Sequence, residues 1–193
     1  MYKKINRQNV ISNTHGAVII EFIYITFIII ILIKILIFTS EHYSTVGKLD
    51  RISYSLSGMI RERTRLYGGD NKLTEEQVSQ LRVLANKMLS NSGLSESNVA
   101  ITVETIHFNP TQSSEVEHKV INDTKSLSFS FGSCEPDKPL KALTQLSPFS
   151  NAGRWIPLYQ VTLCLPASTW YNALFNQGGS TNYIKSSSMT IER

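Results

Sequence analysis

Residues 16–39 read GAVIIEFIYITFIIIILIKILIFT, and this apolar stretch decides the fold of the N-terminal part of the chain. As a helix, residues 17–39 span about 35 Å at roughly 1.5 Å per residue. That length crosses a bilayer core of about 30 Å. Because a backbone in lipid has to satisfy its own hydrogen bonds, a single spanning segment has to be helical. We therefore predict a transmembrane helix over residues 17–39, with a buried helix of a soluble domain as the alternative.

One acidic residue, Glu21, lies near the start of this span. A carboxylate in hydrocarbon costs on the order of 3 kcal/mol at the centre of the bilayer and less near the interface, so it is a candidate for function. If the chain is cut after Gly16, Ala17 carries a free ammonium group, and Glu21 follows it by one helical turn. We predict that Glu21 pairs with this ammonium, within one chain or between neighbouring chains.

The leader and the span together resemble a type IV prepilin N-terminus. Residues 3–16 read KKINRQNVISNTHG and are followed by AVIIEF. This combines a basic leader, a glycine before the cleavage site, an apolar helix and a glutamate at the fifth mature position. In that family a membrane prepilin peptidase cuts after the glycine. The resemblance implies cleavage after Gly16, Ala17 as the new N-terminus, and Glu21 as the glutamate that acts in subunit assembly.

Within this superfamily, the Glu21–Phe22 pair is similar to that of the tight adherence (Tad/Flp) pseudopilins TadE and TadF. Major Flp pilins are much shorter and have tyrosine after the glutamate. Many type II secretion pseudopilins and type IVa pilins begin with phenylalanine, where this chain has Ala17. The length and a single candidate disulfide favour TadF, with TadE as the close alternative.

The resemblance to TadF implies a minor pilin-like subunit that acts in pilus biogenesis and surface adherence. The partners it implies are prepilin peptidase, other pilin and pseudopilin subunits, and the inner-membrane Tad assembly platform. Whether the subunit lies in the fibre, at its tip or in the platform is left open by the sequence.

The charge distribution indicates the orientation in the membrane. The leader, residues 1–16, contains Lys3, Lys4 and Arg7 and no acidic residue. Positive charges before the span place the N-terminus in the cytoplasm and the larger part in the periplasm of a two-membrane bacterium, as a single-pass inner-membrane protein. Without these three charges the net charge falls from +4 to +1, so nucleic acid is not an expected partner.

Two other interpretations of the N-terminus are an ordinary secretory signal peptide and an uncut membrane anchor. A secretory signal peptide has an apolar core of about 7–15 residues and a small-residue cleavage site, and neither is present here. An uncut single-pass envelope protein with a periplasmic ligand-binding domain is the alternative function, but it leaves Glu21 unexplained. The second charge in the span, Lys34, lies near the outer end, where its long side chain can reach the interface.

Apolar residues continue at helical spacing beyond the span, which predicts one helix from Ala17 to about Leu66, ended by a glycine-rich turn at residues 67–71. The predicted organisation is therefore a leader (1–16), a transmembrane helix (17–39), a helix continuation (40–66) and a periplasmic α+β domain (67–193). The apolar positions of the continuation are Tyr43, Val46, Leu49, Ile52, Leu56, Met59 and Ile60.

The remaining sequence predicts one further long helix and several strands, and hence an α+β fold in which the long helix packs on a small antiparallel sheet. The second helix covers residues 74–92, with a capping box from Thr74 to Gln77 and a stop at Gly93. Predicted strands cover residues 98–106, 117–121, 127–131, 155–165 and 183–191. A proline-rich loop is expected at 132–150 and a short helix at 166–175.

The two cysteines, Cys134 and Cys164, both fall on the predicted periplasmic side, where disulfides persist. We expect a disulfide between them rather than two separate thiols. A bridge closing a loop of about 30 residues stabilises by roughly 3–4 kcal/mol.

We find no sequence signature of catalysis. The chain has no P-loop, no G-x-S-x-G and no H-E-x-x-H, and the spacing of His107 and His118 does not suit one metal-binding element. We therefore predict a non-enzymatic assembly subunit without a cofactor or metal ion.

Overall fold

The structure is a computed structural model that describes residues 14–62, 73–94, 98–167 and 183–192. These residues form a long apolar N-terminal helix, a second helix and a small antiparallel sheet, which confirms the predicted α+β class. Two 3₁₀ helices, Val116–His118 and Leu140–Leu146, lie between strands. The helices and strands are α1 (Thr14–Arg61), α2 (Glu75–Asn91), β1 (Ala100–Ile106), β2 (Ser128–Phe131), β3 (Phe149–Ser150), β4 (Arg154–Trp155), β5 (Leu158–Pro166) and β6 (Tyr183–Ile191).

Helix α1 contributes to two compact units, which divide between Ser44 and Thr45. In the N-terminal unit, the large apolar side chains from Val18 to Ile37 are between 41% and 69% exposed. Among the described residues, α1 is the one helix long and apolar enough to cross a membrane, and none of its apolar window is buried inside the protein. Such a helix is compatible with single-pass membrane anchoring.

The bounds of α1 differ from the prediction at its start. The helix begins at Thr14 rather than at Ala17, because extending a formed helix by a few residues costs much less than nucleating one. It ends at Arg61, and the Glu62 N–H still donates to the Gly58 carbonyl at 3.2 Å. The predicted end at Leu66 and the turn at residues 67–71 lie outside the described residues.

The second unit is built on a four-stranded antiparallel sheet with strand order β2-β1-β5-β6. Its register is seen in one row across the sheet, where Val103 lies opposite Phe129 on one side and Val161 on the other. Val161 in turn lies opposite Ser188 of β6. Strands β3 and β4 form a separate two-stranded hairpin.

One face of the sheet packs with both helices in the main hydrophobic core. A fully buried leucine contributes roughly 1.5–3 kcal/mol relative to an exposed one. Burial of the C-terminal third of α1 therefore stabilises this unit. The buried members are Leu49, Ile52, Leu56 and Ile60 of α1, Leu73, Val78, Ala85 and Leu89 in and before α2, and Val99, Ile101, Val103, Tyr159, Val161, Leu163 and Leu165 in and before the strands.

Hydroxyl pairs join α1 to the last strand. The Ser53 and Ser186 hydroxyl oxygens are 2.7 Å apart and buried, and those of Ser57 and Ser188 are 2.9 Å apart. The Thr190 hydroxyl donates to the Ser57 carbonyl at 3.3 Å. Because buried hydroxyls are costly without partners, these pairs fix which side of α1 faces β6.

Helix α2 matches the prediction closely. Thr74 is its N-cap, and its side chain and that of Gln77 form the predicted capping box, each at 3.3 Å. At the other end, the Leu94 N–H donates to the Leu89 carbonyl at 3.1 Å, with Gly93 at a positive φ of 84°. This left-handed geometry explains why glycine ends the helix.

The opposite face of the sheet is covered by the segment that follows β2. Gly132 has a φ of 85°, and a Cβ there would come within 2.8 Å of the Ala100 Cβ, so only glycine lets this segment pass so close to β1. Further along, Leu140 is fully buried against Ile106 and Leu158. Strand β1 is consequently buried along almost its whole length.

Two predicted segments differ in the structure. Residues 117–121 are not a strand: they begin in the Val116–His118 3₁₀ helix, and only Ile121 makes a β-bridge, with Phe108. The polar run Glu117–Lys119 offers no apolar face for a sheet. Residues 132–150 are not all loop either, because burial of Leu140 stabilises the Leu140–Leu146 3₁₀ helix.

The predicted strand 155–165 is interrupted. Trp155 belongs to β4, and β5 begins at Leu158, after Pro157, which has no N–H to donate to a ladder. Pro166 ends β5 opposite Tyr183 and does not start a helix. The rest of the predicted helix at 166–175 lies outside the described residues, apart from Ala167.

Candidate functional site

The predicted processing and assembly residues lie near the start of α1. Gly16 and Ala17 fall within its first turns, and Glu21 follows one turn later. Glu21 is surrounded along the helix by exposed apolar side chains, of which Phe22 is 69% exposed and Ile20 58% exposed. The structure thus places a carboxylate on a helix surface that is mostly apolar.

Within the described part of the chain, no hydrogen bond or ion pair involves the Glu21 carboxylate. The other charge of the apolar stretch, Lys34, lies more than three turns along α1, beyond the three- or four-residue spacing at which helix side chains meet. An acidic group on such a surface is costly in lipid unless a partner is supplied.

In the sheet unit, Cys134 and Cys164 form a disulfide with a Cα–Cα distance of 5.5 Å. Both residues are buried, at 2% and 0% exposed. The bond attaches the segment after β2 to the middle of the sheet, and the Thr102 hydroxyl donates to the Cys134 carbonyl beside it. This attachment holds the covering segment against β5.

Glu104 lies in β1 on the covered face of the sheet, where its carboxylate accepts a hydrogen bond from the Leu140 N–H at 3.1 Å. Burial raises the pKa of the Glu104 carboxyl above its usual value of 4.5, and the Leu140 N–H and the charge of Lys141 oppose that rise. The folded protein therefore holds this proton more tightly than the unfolded chain does.

We expect Glu104→Gln to change the free energy of unfolding more favourably at pH 7 than at pH 4. A carboxyl with a raised pKa contributes its full stability below about pH 4.5, and that contribution is lost as the pH rises through the folded-state value. Glutamine stays neutral at both pH values and still accepts from Leu140. Urea unfolding at the two pH values measures the difference, with exposed Glu117→Gln as the control. An equal effect of Glu104→Gln at both pH values would contradict the expectation.

The Lys119 side chain follows the first 3₁₀ helix and contacts both the second 3₁₀ helix and the β3–β4 hairpin. Its ammonium lies 4.1 Å from the centroid of the Trp155 ring and 5.0 Å from that of Phe108, and it donates to the Ser147 carbonyl at 2.8 Å. It also donates to the Thr144 carbonyl. Burial lowers the pKa of the Lys119 ammonium. Sequence reasoning missed this contact, because nothing in the spacing of these residues brings them together.

The structure shows no arrangement typical of metal binding within its described ranges, since no group of three or more His, Cys, Asp or Glu side chains is close enough to hold an ion. His107 is buried and packs edge-on against Tyr159, with ring centroids 6.0 Å apart. His118 is exposed and lies 3.7 Å from the Glu115 carboxylate. These two histidines therefore have different neighbours, Tyr159 for His107 and Glu115 for His118.

The family model of tight adherence pilin protein F, TadF, matches residues 9–193. No curated protein and no solved structure matched the chain. The family match covers nearly the whole chain and favours TadF over TadE. It shows a pilin-like protein related to the Tad pilus, in a class of structural proteins that interact with other pilus components. On the strength of this match and of the fold, the chain belongs to the TadF family.

Proposed function

We propose that this chain is a minor pilin-like subunit of a Tad/Flp pilus assembly and secretion system, acting in pilus biogenesis and surface adherence. In this proposal prepilin peptidase removes residues 1–16, and the mature chain is held in the inner membrane by the apolar part of α1. The observation that carries the proposal is Glu21, an acidic group on an apolar helix surface with no partner among the described residues.

Cleavage supplies the missing partner. Removal of the leader converts the amide nitrogen of Ala17 into an ammonium group, one helical turn from Glu21. Between neighbouring chains, the ammonium of one subunit can meet the carboxylate of the next. Because each subunit then uses two different surfaces, repetition of this contact with an axial rise produces an open helical assembly, which is the geometry of a filament.

The orientation follows from charge and from cysteine chemistry. Lys3, Lys4 and Arg7 precede the apolar stretch and favour a cytoplasmic N-terminus. The disulfide between Cys134 and Cys164 supports a periplasmic position for the sheet unit, because such bonds persist in oxidising compartments. The sheet unit then decorates, primes or tips the assembly.

Mapping of the mature N-terminus tests the proposal. We expect intact mass and N-terminal sequencing of protein extracted from membranes to show Ala17 as the first residue. The processing variant is Gly16→Leu, which should retain the leader because a bulky side chain replaces the glycine before the cleavage site. His15→Ala is its matched control and should be cut normally. Mature wild-type protein that still carries Met1–Gly16 would overturn the proposal and favour an uncut envelope protein.

A further inference from the structure

Two glycines of α1, Gly47 and Gly58, are not explained by contacts within the described part of the chain. Glycine has a lower helix propensity than alanine or leucine, so each of them opposes formation of the helix that contains it. A Cβ atom at either position would meet nothing within 4 Å beyond the surrounding helix backbone, and neither glycine has the positive φ that requires this residue. Each therefore leaves an open notch on the surface of α1.

A large exposed side chain lies one helical turn before each glycine. Tyr54 precedes Gly58 by four residues, and Tyr43 precedes Gly47 by four residues. Residues at this spacing are neighbours on a helix surface. Both tyrosines are 70% exposed, although aromatic side chains are typical of the buried centres of protein interfaces. The surface of α1 thus has two projections and two notches, and the tyrosines are as far apart in the sequence as the glycines are.

This equal spacing makes the surface complementary to a second copy of itself. If a parallel copy is displaced by four residues along the helix axis, or about 6 Å, its Tyr54 lies level with Gly58. Its Tyr43 then lies level with Gly47. A displacement of seven residues in the opposite direction brings Tyr54 level with Gly47, but Tyr43 then meets Leu36. Of these two displacements, only the first fills both notches.

The same displacement brings Ala17 of one copy level with Glu21 of the next, because Glu21 also follows by four residues. That pairing belongs to the proposed function and involves other residues, so two separate contacts favour one register. The parallel orientation rests on the proposed function, in which all copies enter the membrane with the same end first.

We propose that residues 43–58 of α1 bind a second copy of this chain in parallel, displaced by four residues. Tyr54 of one copy packs on Gly58 of its neighbour, and Tyr43 packs on Gly47. Small residues at a helix interface let two backbones approach closely, so each ring covers the backbone that the facing glycine exposes.

Disulfide crosslinking between two copies in cell membranes tests the inference. Two full-length chains with different epitope tags are expressed together, one with Tyr54→Cys and the other with Gly58→Cys. Because a disulfide needs Cα atoms about 4.4–6.8 Å apart, mild oxidation should link the two tags. The native cysteines, Cys134 and Cys164, are buried and bonded to each other, so they do not take part.

The matched control replaces Gly58→Cys with Met59→Cys. Met59 is 39% exposed but lies on another side of α1, since adjacent residues of a helix do not share a face. This pair should give at most about a tenth as much linked product.

A second reporter pair tests the role of the glycine. Tyr43→Cys and Gly47→Cys should also link two copies, and this pair leaves Tyr54 and Gly58 intact. Adding Gly58→Leu to both chains should lower the yield of linked product about tenfold, because leucine occupies the notch. Thermal unfolding of the chain should not weaken, because leucine has the higher helix propensity. Asp50→Val, which removes a nearby charge and keeps the tyrosine and the glycine, should link normally.

Four results would overturn the inference. Equal yields with Gly58→Cys and Met59→Cys would show that the contact has no defined side. A higher yield from Tyr54→Cys with Gly47→Cys would show the seven-residue displacement. Unchanged linkage in Gly58→Leu would show that nothing fills the notch, and absence of linked product from both reporter pairs would show that copies do not meet here. A retained leader, by contrast, would contradict the proposed function and leave the crosslinks in place.

Discussion

Replacement of Glu21 by valine is expected to leave membrane insertion and leader removal unchanged and to exclude the subunit from assembled pili. Valine suits the apolar surface of α1 better than glutamate does, so insertion should not suffer. The variant loses the carboxylate with which, in the proposed function, the Ala17 ammonium pairs. If that charged contact holds subunits together, its loss lowers incorporation by about tenfold or more.

Quantitative mass spectrometry of sheared pili and of membranes from the same cells measures this effect as a ratio of the two fractions. Asp50→Val is the matched control, because it removes an exposed acidic residue from the same helix beyond the apolar stretch. It should be incorporated normally. Equal incorporation of Glu21→Val and wild type would remove the role proposed for Glu21, even if the leader is cut as expected.

Removal of the disulfide is the second change with a large expected effect. The double variant Cys134→Ala/Cys164→Ala should lose roughly 3–4 kcal/mol of the free energy of unfolding, because opening a loop of about 30 residues increases the entropy of the unfolded chain. For a chain of this size, such a loss lowers the midpoint of thermal unfolding by roughly 7–14 °C. Unfolding of the full chain in detergent, followed by tryptophan fluorescence, to which buried Trp155 contributes, measures it.

Reduction provides the control for this experiment. A reducing agent should destabilise the wild type by a similar amount and leave the double variant unchanged, since the variant has no disulfide to break. A loss below about 1 kcal/mol in both tests would show that the segment after β2 is held by its other contacts. Those contacts include the buried Leu140 and the hydrogen bond from Gln160 to Lys138.

The elements with long, regular patterns were predictable from the sequence. Strand β6 has the predicted bounds, and α2 differs by one residue at each end because the capping residues lie outside the helix. In α2 the spacing of apolar residues, the N-cap and the glycine after the last turn all predict the same helix. Strand β1 was also predicted, although its burial on both faces was not, because the covering segment is distant in sequence.

The short elements were not predictable, and the reason is that tertiary contacts stabilise them. The 3₁₀ helix at Leu140–Leu146 depends on the burial of one leucine beneath a loop, and Pro157 interrupts a strand that its neighbours favour. The Lys119 contact combines residues from several segments, so no local spacing signals it. By contrast, the sequence alone identifies Glu21 as a candidate functional residue, because it is an acidic residue within an apolar run.

The hydroxyl pairs between α1 and β6 have a consequence for biosynthesis. Ser53 and Ser186 are 133 residues apart, so α1 can meet its partner strand only after the ribosome has added those 133 residues. Contacts this distant in sequence form late, after the entropy of closing a long loop has been overcome. A product that stops before Tyr183, through a frameshift or a premature stop codon, lacks these partners for α1. Such a fragment leaves Ser53 and Ser57 without their hydroxyl partners, so we expect proteases to cleave it more readily than a chain that includes β6.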